Sequence, residues 1–395
     1  MKKINDEVYY VGVLNPNLRV FDIIMQTEYG TSYNSYLIKG EKNILVECVH
    51  ERYFEEYIKN IEEIVEISKI DYIVINHTEL DHTGALTKLL ELNPKIEVIS
   101  SSVGAMYLKN ILNKGFNSIV VKDGEEKEIG DLKVKFLVSP FLHWPDSMFT
   151  YIEKYNMIFT CDFLGTHYCE PYCFDYNIKY KNKYEESLKY YFDVIFGPFK
   201  EHVLKGLEKI KDLKMDYVCT SHGPVLTQHS IKNIISNYYK WSEKEFIKNK
   251  IISIFYVSSY GCTKKMADKI AEGIKAGNPS LTVNAYNIIE YDISKLKEIF
   301  EESTAVLIGS PTINKDAVKP VWDLLSVTDA IVNRGKKCAV FGSFGWSGEG
   351  IKALENKLLG LGLNLIQDSI KINFMPSEEE QIKCREFGME FAKSC

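Results

Sequence analysis

The segment His77-Thr78-Glu79-Leu80-Asp81-His82 constrains this chain most, because it sets four groups able to bind a metal within six residues, directly behind the apolar run Tyr72-Ile73-Val74-Ile75. Such a run reads as a buried strand, and a strand ending in this cluster reads as the rim of a metal site. Side chains alternate along an extended chain, so residues 77, 79 and 81 are expected on one side, with His82 joining from the turn. Three later segments each offer a ligand at the end of an apolar run. They are His143 in Phe141-Leu142-His143-Trp144-Pro145-Asp146, Asp162 in Ile158-Phe159-Thr160-Cys161-Asp162, and His222 in Tyr217-Val218-Cys219-Thr220-Ser221-His222-Gly223-Pro224. Seven ligands suit two metal ions. Four imidazoles and three carboxylates without a thiolate fit two irons, one carboxylate bridging, better than a closed structural zinc site, which prefers cysteine and four-coordination; zinc stays open.

From residue 251 the pattern changes to a doubly wound α/β one. The run Ile251 to Val257 leads into Ser258-Ser259-Tyr260-Gly261-Cys262-Thr263 and then a helix-like stretch from Lys264 to about Ala276. Strand, hydroxyl-rich glycine loop and helix N-terminus make an anion site, because backbone N–H groups and hydroxyls face the anion and the helix dipole favours its charge. No Gly-Lys-Ser/Thr follows, and Gly-x-Gly-x-x-Gly is absent, so this is neither a Walker loop nor a dinucleotide fingerprint. Two further apolar runs end in loops: Ala305-Val306-Leu307-Ile308 before Gly309 to Asn314, and Cys338-Ala339-Val340-Phe341 before Gly342 to Gly348. In a parallel sheet such loops lie at the carboxyl edge where ligands bind.

These motifs carry a resemblance. His-x-Glu-x-Asp-His, a His followed by Trp-Pro-Asp-Ser-Met, an Asp and a Ser-His-Gly-Pro resemble the flavodiiron proteins, and the loop at 258–263 resembles the phosphate loop of flavodoxins. The resemblance implies an N-terminal metallo-β-lactamase-like αββα sandwich over residues 1–250 and a C-terminal flavodoxin-like doubly wound parallel sheet over 251–395. It places His77, Glu79 and His143 on one iron, Asp81, His82 and His222 on the other, and Asp162 between them. It assigns FMN to Ser258, Ser259, Tyr260, Gly261, Cys262 and Thr263 at the phosphate, and to Pro311, Thr312, Ile313, Asn314, Ser343, Phe344, Gly345, Trp346 and Ser347 around the ring. The implied activity is reduction of dioxygen to water, of nitric oxide to nitrous oxide, or both. Electrons would reach FMN from an external donor such as rubredoxin. A head-to-tail homodimer, or a dimer of dimers, is implied, because one subunit's FMN must approach the other's irons.

Glu79 stands where hydrolases of the β-lactamase superfamily carry His, which argues against a zinc hydrolase fused to a flavodoxin domain. A complete ligand set argues against an electron-transfer flavoprotein with an inactive metal domain. Thr27-Glu28-Tyr29 stands where many members carry a His, and Phe163-Leu164-Gly165-Thr166 precedes His167 where Gln is more usual. Both changes leave the preference between oxygen and nitric oxide open, with His167 a candidate to orient a carboxylate or meet the substrate.

The length of 395 residues suits two domains. Ser230 to Lys250 reads as an amphipathic helix. A net charge of −6 provides no basic field for nucleic acid or anionic lipid. No apolar run reaches membrane-spanning length and the first residues lack a signal-peptide core, so a cytoplasmic protein is expected. Nine cysteines without a Cys-x-x-Cys pair suit free thiols and give no rubredoxin-type site.

Overall fold

The computed structural model describes residues 2–23, 25–243 and 250–395, in two compact units that divide between Lys244 and Glu245. The helix expected between Ser230 and Lys250 is shorter, Ile231–Ser242, and ends at Glu243, whose ψ of 133° leaves the helical region; residues 244–249 lie outside the described residues.

The first unit stacks two sheets. The seven-stranded sheet runs in the order Lys2–Lys3, Val8–Tyr10, Tyr36–Ile38, Asn43–Val46, Ile70–Ile75, Glu97–Ser101, Asn117–Val121. The six-stranded sheet runs in the order Glu126–Ile129, Leu132–Val138, Met148–Ile152, Met157–Cys161, Tyr217–Thr220, Leu226–Thr227. Alternation along the strands decides the layers. Ile44, Val46 and Val74 join Phe136, Met148 and Phe159 in the core between the sheets. Leu45, Ile73 and Ile75 point the other way, onto helices Phe54–Glu62, Leu86–Leu92 and Ser102–Leu112. On the far side, Leu137, Phe149 and Ile158 pack against helices Lys181–Tyr191, Lys200–Ile210 and Ile231–Ser242. The result is the αββα sandwich.

The second unit is a parallel sheet in the order Thr282–Asn287, Ile251–Tyr256, Ala305–Gly309, Lys337–Phe344, with Asn364–Leu365 and Ile370–Asn373 both on the last strand. Its central strands are mostly apolar because both faces are covered, and Ser253, buried in the first of them, is satisfied by the Ser303 hydroxyl at 2.7 Å. Helices Cys262–Gly277 and Glu378–Lys393 cover one face; Ile293–Glu302, Lys319–Val327 and Glu349–Gly360 cover the other. The strand order, with the first strand second from the edge, is that of the flavodoxin-like doubly wound sheet. Among the described residues no helix is long and apolar enough to cross a membrane.

Candidate functional site

Strand Ile70–Ile75 ends at the sheet edge, and two buried carboxylates capture the backbone that follows it. Asn76 N donates to Glu47 Oε1 at 2.9 Å and Thr78 N to Asp146 Oδ2 at 2.7 Å. The Thr83 hydroxyl then donates to the carbonyls of Thr78 and Glu79, both at 3.0 Å, closing a helical turn over Leu80–Thr83. This corrects the expectation of an extended chain through residue 81. Because the chain turns at Leu80, Glu79 and Asp81 face different clusters instead of sharing a side.

The two clusters contain all seven expected groups. In the first, Glu79 Oε2 lies 3.2 Å from His77 Nε2 and 3.3 Å from His143 Nε2. In the second, Asp81 Oδ1 lies 3.3 Å from His82 Nε2, and Asp81 Oδ2 lies 3.0 Å from His222 Nε2. Asp162 divides its oxygens between them. Oδ2 is 3.5 Å from His143 and 3.7 Å from His77, while Oδ1 is 3.3 Å from both His82 and His222. The register slips between Phe159 and Cys161 at the end of their strand, and Cys161 takes a φ of 54°, which turns the following carboxylate off the ladder. His143 is seated by Leu142, which packs where a Cβ on Gly206 would come within 2.4 Å.

The residues fit two metal ions. Both Asp81 oxygens and His82 Nε2 are buried without a hydrogen-bond partner, although they lie beside one another. An unsatisfied buried carboxylate is costly, and a cation bound by oxygen and nitrogen donors removes that cost. The outer nitrogens of the imidazoles are held from behind: His77 Nδ1 by Asp146 at 3.2 Å, His222 Nδ1 by the Ser32 carbonyl at 2.7 Å. These partners fix which nitrogen faces the site. The Tyr191 hydroxyl donates to Asp162 Oδ1 at 3.1 Å.

Burial penalises the charge on Asp162, but His82, His143 and His222 around it hold its pKa well below the usual carboxylate range. Burial works against protonated His222, yet Asp162 and Asp81 push its pKa up to about 10. His77, His82 and His143 are raised as well, each against burial, by the same carboxylates and by Glu79 and Asp146. In the metal-free protein at neutral pH, His222, with its pKa of about 10, and His77, raised well above the usual imidazole value, therefore carry protons that a metal must displace. Loading the metal-free protein should release two or more protons per chain, an order-of-magnitude reading of that linkage. Titration calorimetry in buffers of different ionisation enthalpy measures this, and proton-neutral loading would contradict it.

Sequence reasoning missed several participants. Glu47, Asp146, Thr31, Ser32 and Tyr191 support the ligands from behind, and only Asp146 had a signal, its place three residues after His143. Phe21 packs its ring 4.4 Å from that of His167. Asp22 interacts with Glu79, and burial together with Glu79 raises its pKa to about 7. His167 is buried, its ring 4.6 Å from that of His222, its Nδ1 2.8 Å from Thr31 Oγ1.

In the second unit, Gly261 has a φ of 83°, and nothing comes closer to a Cβ there than Met375 Cε at 3.9 Å. The loop turns through it into the helix Cys262–Gly277. Lys264 N donates to Ser258 Oγ at 3.2 Å, and Thr263 Oγ1 lies 2.8 Å from Ser343 Oγ, which ties the phosphate loop to the neighbouring strand end. Strand Lys337–Phe344 runs further than expected, so Ser343 and Phe344 are strand residues, with the loop starting at Gly345; pairing with Ile370–Asn373 extends the ladder. Pro311 to Asn314 form a tight hairpin with Asp316–Ala317. Thr312 Oγ1 is buried without a hydrogen-bond partner, and Ser347 lies beside Glu349, whose pKa it lowers. Trp346, Tyr260 and Phe374 are exposed around these loops.

Fold and site together define a β-lactamase-like domain with a carboxylate–histidine centre for two metals, joined to a flavodoxin domain. Residues 31–223 match the ODP family β-lactamase model and residues 254–388 the flavodoxin model. The chain is 49% identical over 395 residues to the Flavo-diiron protein FprA2 of Clostridium acetobutylicum, covering 99% of each. It is 32% identical to the anaerobic nitric oxide reductase flavorubredoxin of Vibrio vulnificus, covering 99% of this chain and 79% of that one. Rubredoxin oxygen:oxidoreductase of Desulfovibrio gigas superposes with a TM-score of 0.70 at 28% identity, over 100% of this chain and 98% of that one. The chain belongs to the flavodiiron protein family, whose members are oxidoreductases. Its flavodoxin domain implies FMN, and its family implies a non-haem diiron centre.

Proposed function

We propose that this protein reduces dioxygen to water, nitric oxide to nitrous oxide, or both, in the cytoplasm, with electrons supplied through FMN by a small donor such as rubredoxin. The division of Asp162's two oxygens between the clusters is the observation that carries this reading. Bound iron and FMN supply the redox chemistry. His77, Glu79 and His143 would hold one iron, Asp81, His82 and His222 the other, with Asp162 shared. Three carboxylates bring anionic charge that favours the ferric state. Tyr191 keeps Asp162 oriented, and burial raises its phenol pKa well above the usual value, so it remains a donor. Ser258 to Thr263 would take the phosphate of FMN, and the segments 311–314 and 343–347 its ring.

The dimer is supported by exposed apolar side chains on both units. Phe141 and Trp144 flank His143 in sequence and Ile23 follows Asp22, which interacts with Glu79, while Trp346, Phe374 and Met375 lie near the flavin loops. Patches of this kind suit a head-to-tail homodimer in which one subunit's flavin serves its partner's irons.

The test is one preparation, purified without air from iron-replete cells, analysed for metal, sedimentation and gas uptake. About two irons per chain, as a set of nitrogen and oxygen donors of this size implies, a dimer, and consumption of oxygen or nitric oxide are expected. Zinc in place of iron, or a stable monomer with full turnover, would overturn the corresponding part.

A further inference from the structure

A short hairpin beside the metal ligands carries a carboxylate that the set of seven does not use. Strands Val20–Phe21 and Met25–Gln26 pair antiparallel, with Phe21 opposite Met25. Phe21 anchors the hairpin, its ring 4.4 Å from that of His167 and 5.9 Å from that of His222. Gln26 N donates to the Tyr190 hydroxyl at 3.3 Å and ties the returning strand to helix Lys181–Tyr191. The turn between the strands takes Asp22 and Ile23 into the left-handed region, with φ of 46° and 70°. That conformation is strained for a β-branched residue and persists only where the surroundings hold it.

This turn sets Asp22 against the centre. Its carboxyl group is in hydrogen-bonding contact with that of Glu79, and Asp81 and His143 are the next charged groups around it. Asp22 thus faces members of both clusters. It is itself exposed, whereas His77, Asp81, His82, Asp162 and His222 are buried, so it meets the centre from the solvent side. Two carboxylates in contact need a positive partner between them, and the metal that Glu79 would hold supplies one. Both Asp81 oxygens, buried without a hydrogen-bond partner, point to the same need for a cation. The first cluster offers that metal four donors, His77, Glu79, His143 and one oxygen of Asp162. Non-haem iron held by nitrogen and oxygen donors keeps open positions beyond such a set.

We propose that Asp22 is a further, detachable ligand of the first metal, the one that His77, Glu79 and His143 would hold. The proposal rests on the diiron gas-reductase reading above. Bound, Asp22 fills an open position on the first metal and leaves the second, on Asp81, His82 and His222, as the more open of the two. A small molecule that bridges the pair has to displace it, and strain in the turn favours its release. The exchange transfers no electron: one coordination bond breaks, and Asp22 leaves as the carboxylate.

The test uses iron- and FMN-loaded protein and the variants Asp22→Asn and Asp22→Gly, both of which tolerate a positive φ and so keep the turn. A high-resolution crystal structure of the oxidised parent should place an Asp22 oxygen at bonding distance from the iron held by His77, Glu79 and His143. Azide, a small anion that binds ferric iron, reads the same position in solution. If Asp22 stands off the metal about a tenth of the time, its removal tightens azide about ten-fold. Both variants should show that gain, with FMN content unchanged. An Asp22 carboxylate turned away from the metal in a parent that holds both irons would sink the detachable ligand alone, as would unchanged or weaker azide binding in either variant. A parent that takes up no iron would sink it together with the gas-reductase reading.

Discussion

Asp162→Ala is expected to empty the metal centre while leaving the flavin domain intact. The carboxylate lies between the two clusters, its Oδ2 facing His77 and His143 and its Oδ1 facing His82 and His222. Alanine removes the shared ligand and leaves four raised histidines with less anionic charge to balance them. Gas reduction should fall at least about 100-fold, beyond what loss of an outer hydrogen-bond partner costs. Metal analysis should show fewer than two irons, with FMN at the parent level because its loops belong to the other unit. Asp162→Asn keeps the volume and should lose the pair as well, since an amide is a poor bridge. Two irons and normal turnover in either variant would refute the bridging role.

Gly273→Val is expected to do the reverse. Helices Cys262–Gly277 and Glu378–Lys393 approach through Gly273, Gly277 and Gly388. A Cβ on Gly273 would fall 2.0 Å from the Arg385 carbonyl oxygen, and one on Gly388 would fall 2.2 Å from that of Ile270. Backbone cannot yield as a flexible side chain can, so the helices must part. The first of them begins in the phosphate loop, and the strain would be transmitted to the flavin site. A destabilisation of about 3 kcal/mol or more is expected, at the upper end for overpacking. The measurements are FMN content and the unfolding midpoint of the second unit, with iron content as the control. Full flavin occupancy at an unchanged midpoint would contradict this account.

The fold was legible because its signals are local. Apolar runs ending in loops announced the parallel sheet, whereas the sandwich was implied by the resemblance that the ligand motifs carry. The ligands were legible because strand ends in layered folds are where side chains converge, and His77 to His82 are concentrated at one of them. What the chain did not disclose is long-range. Glu47 and Asp146 shape the loop after Ile75 through backbone hydrogen bonds to Asn76 and Thr78, long-range contacts that the segment 77–82 does not itself encode, and for that reason the turn at Leu80 was read as extended chain. Tyr191 looks in sequence like any core aromatic of a helix; its bond to Asp162 exists only because helix Lys181–Tyr191 docks on the sheet. The end of strand Lys337–Phe344 was misplaced for the same reason, since pairing with Ile370–Asn373 carries it beyond its apolar run.

The distribution of ligands along the chain also has a biosynthetic consequence. A ribosome releases His77, Glu79, Asp81 and His82 together, His143 and Asp162 later, and His222 last. Until strand Tyr217–Thr220 pairs with Met157–Cys161, the nascent chain offers an incomplete, flexible chelator. Such a chelator follows intrinsic affinity, under which copper and zinc outcompete ferrous iron. Selection of iron therefore waits for the sandwich to close, and correct metallation becomes a matter of timing between folding and metal supply.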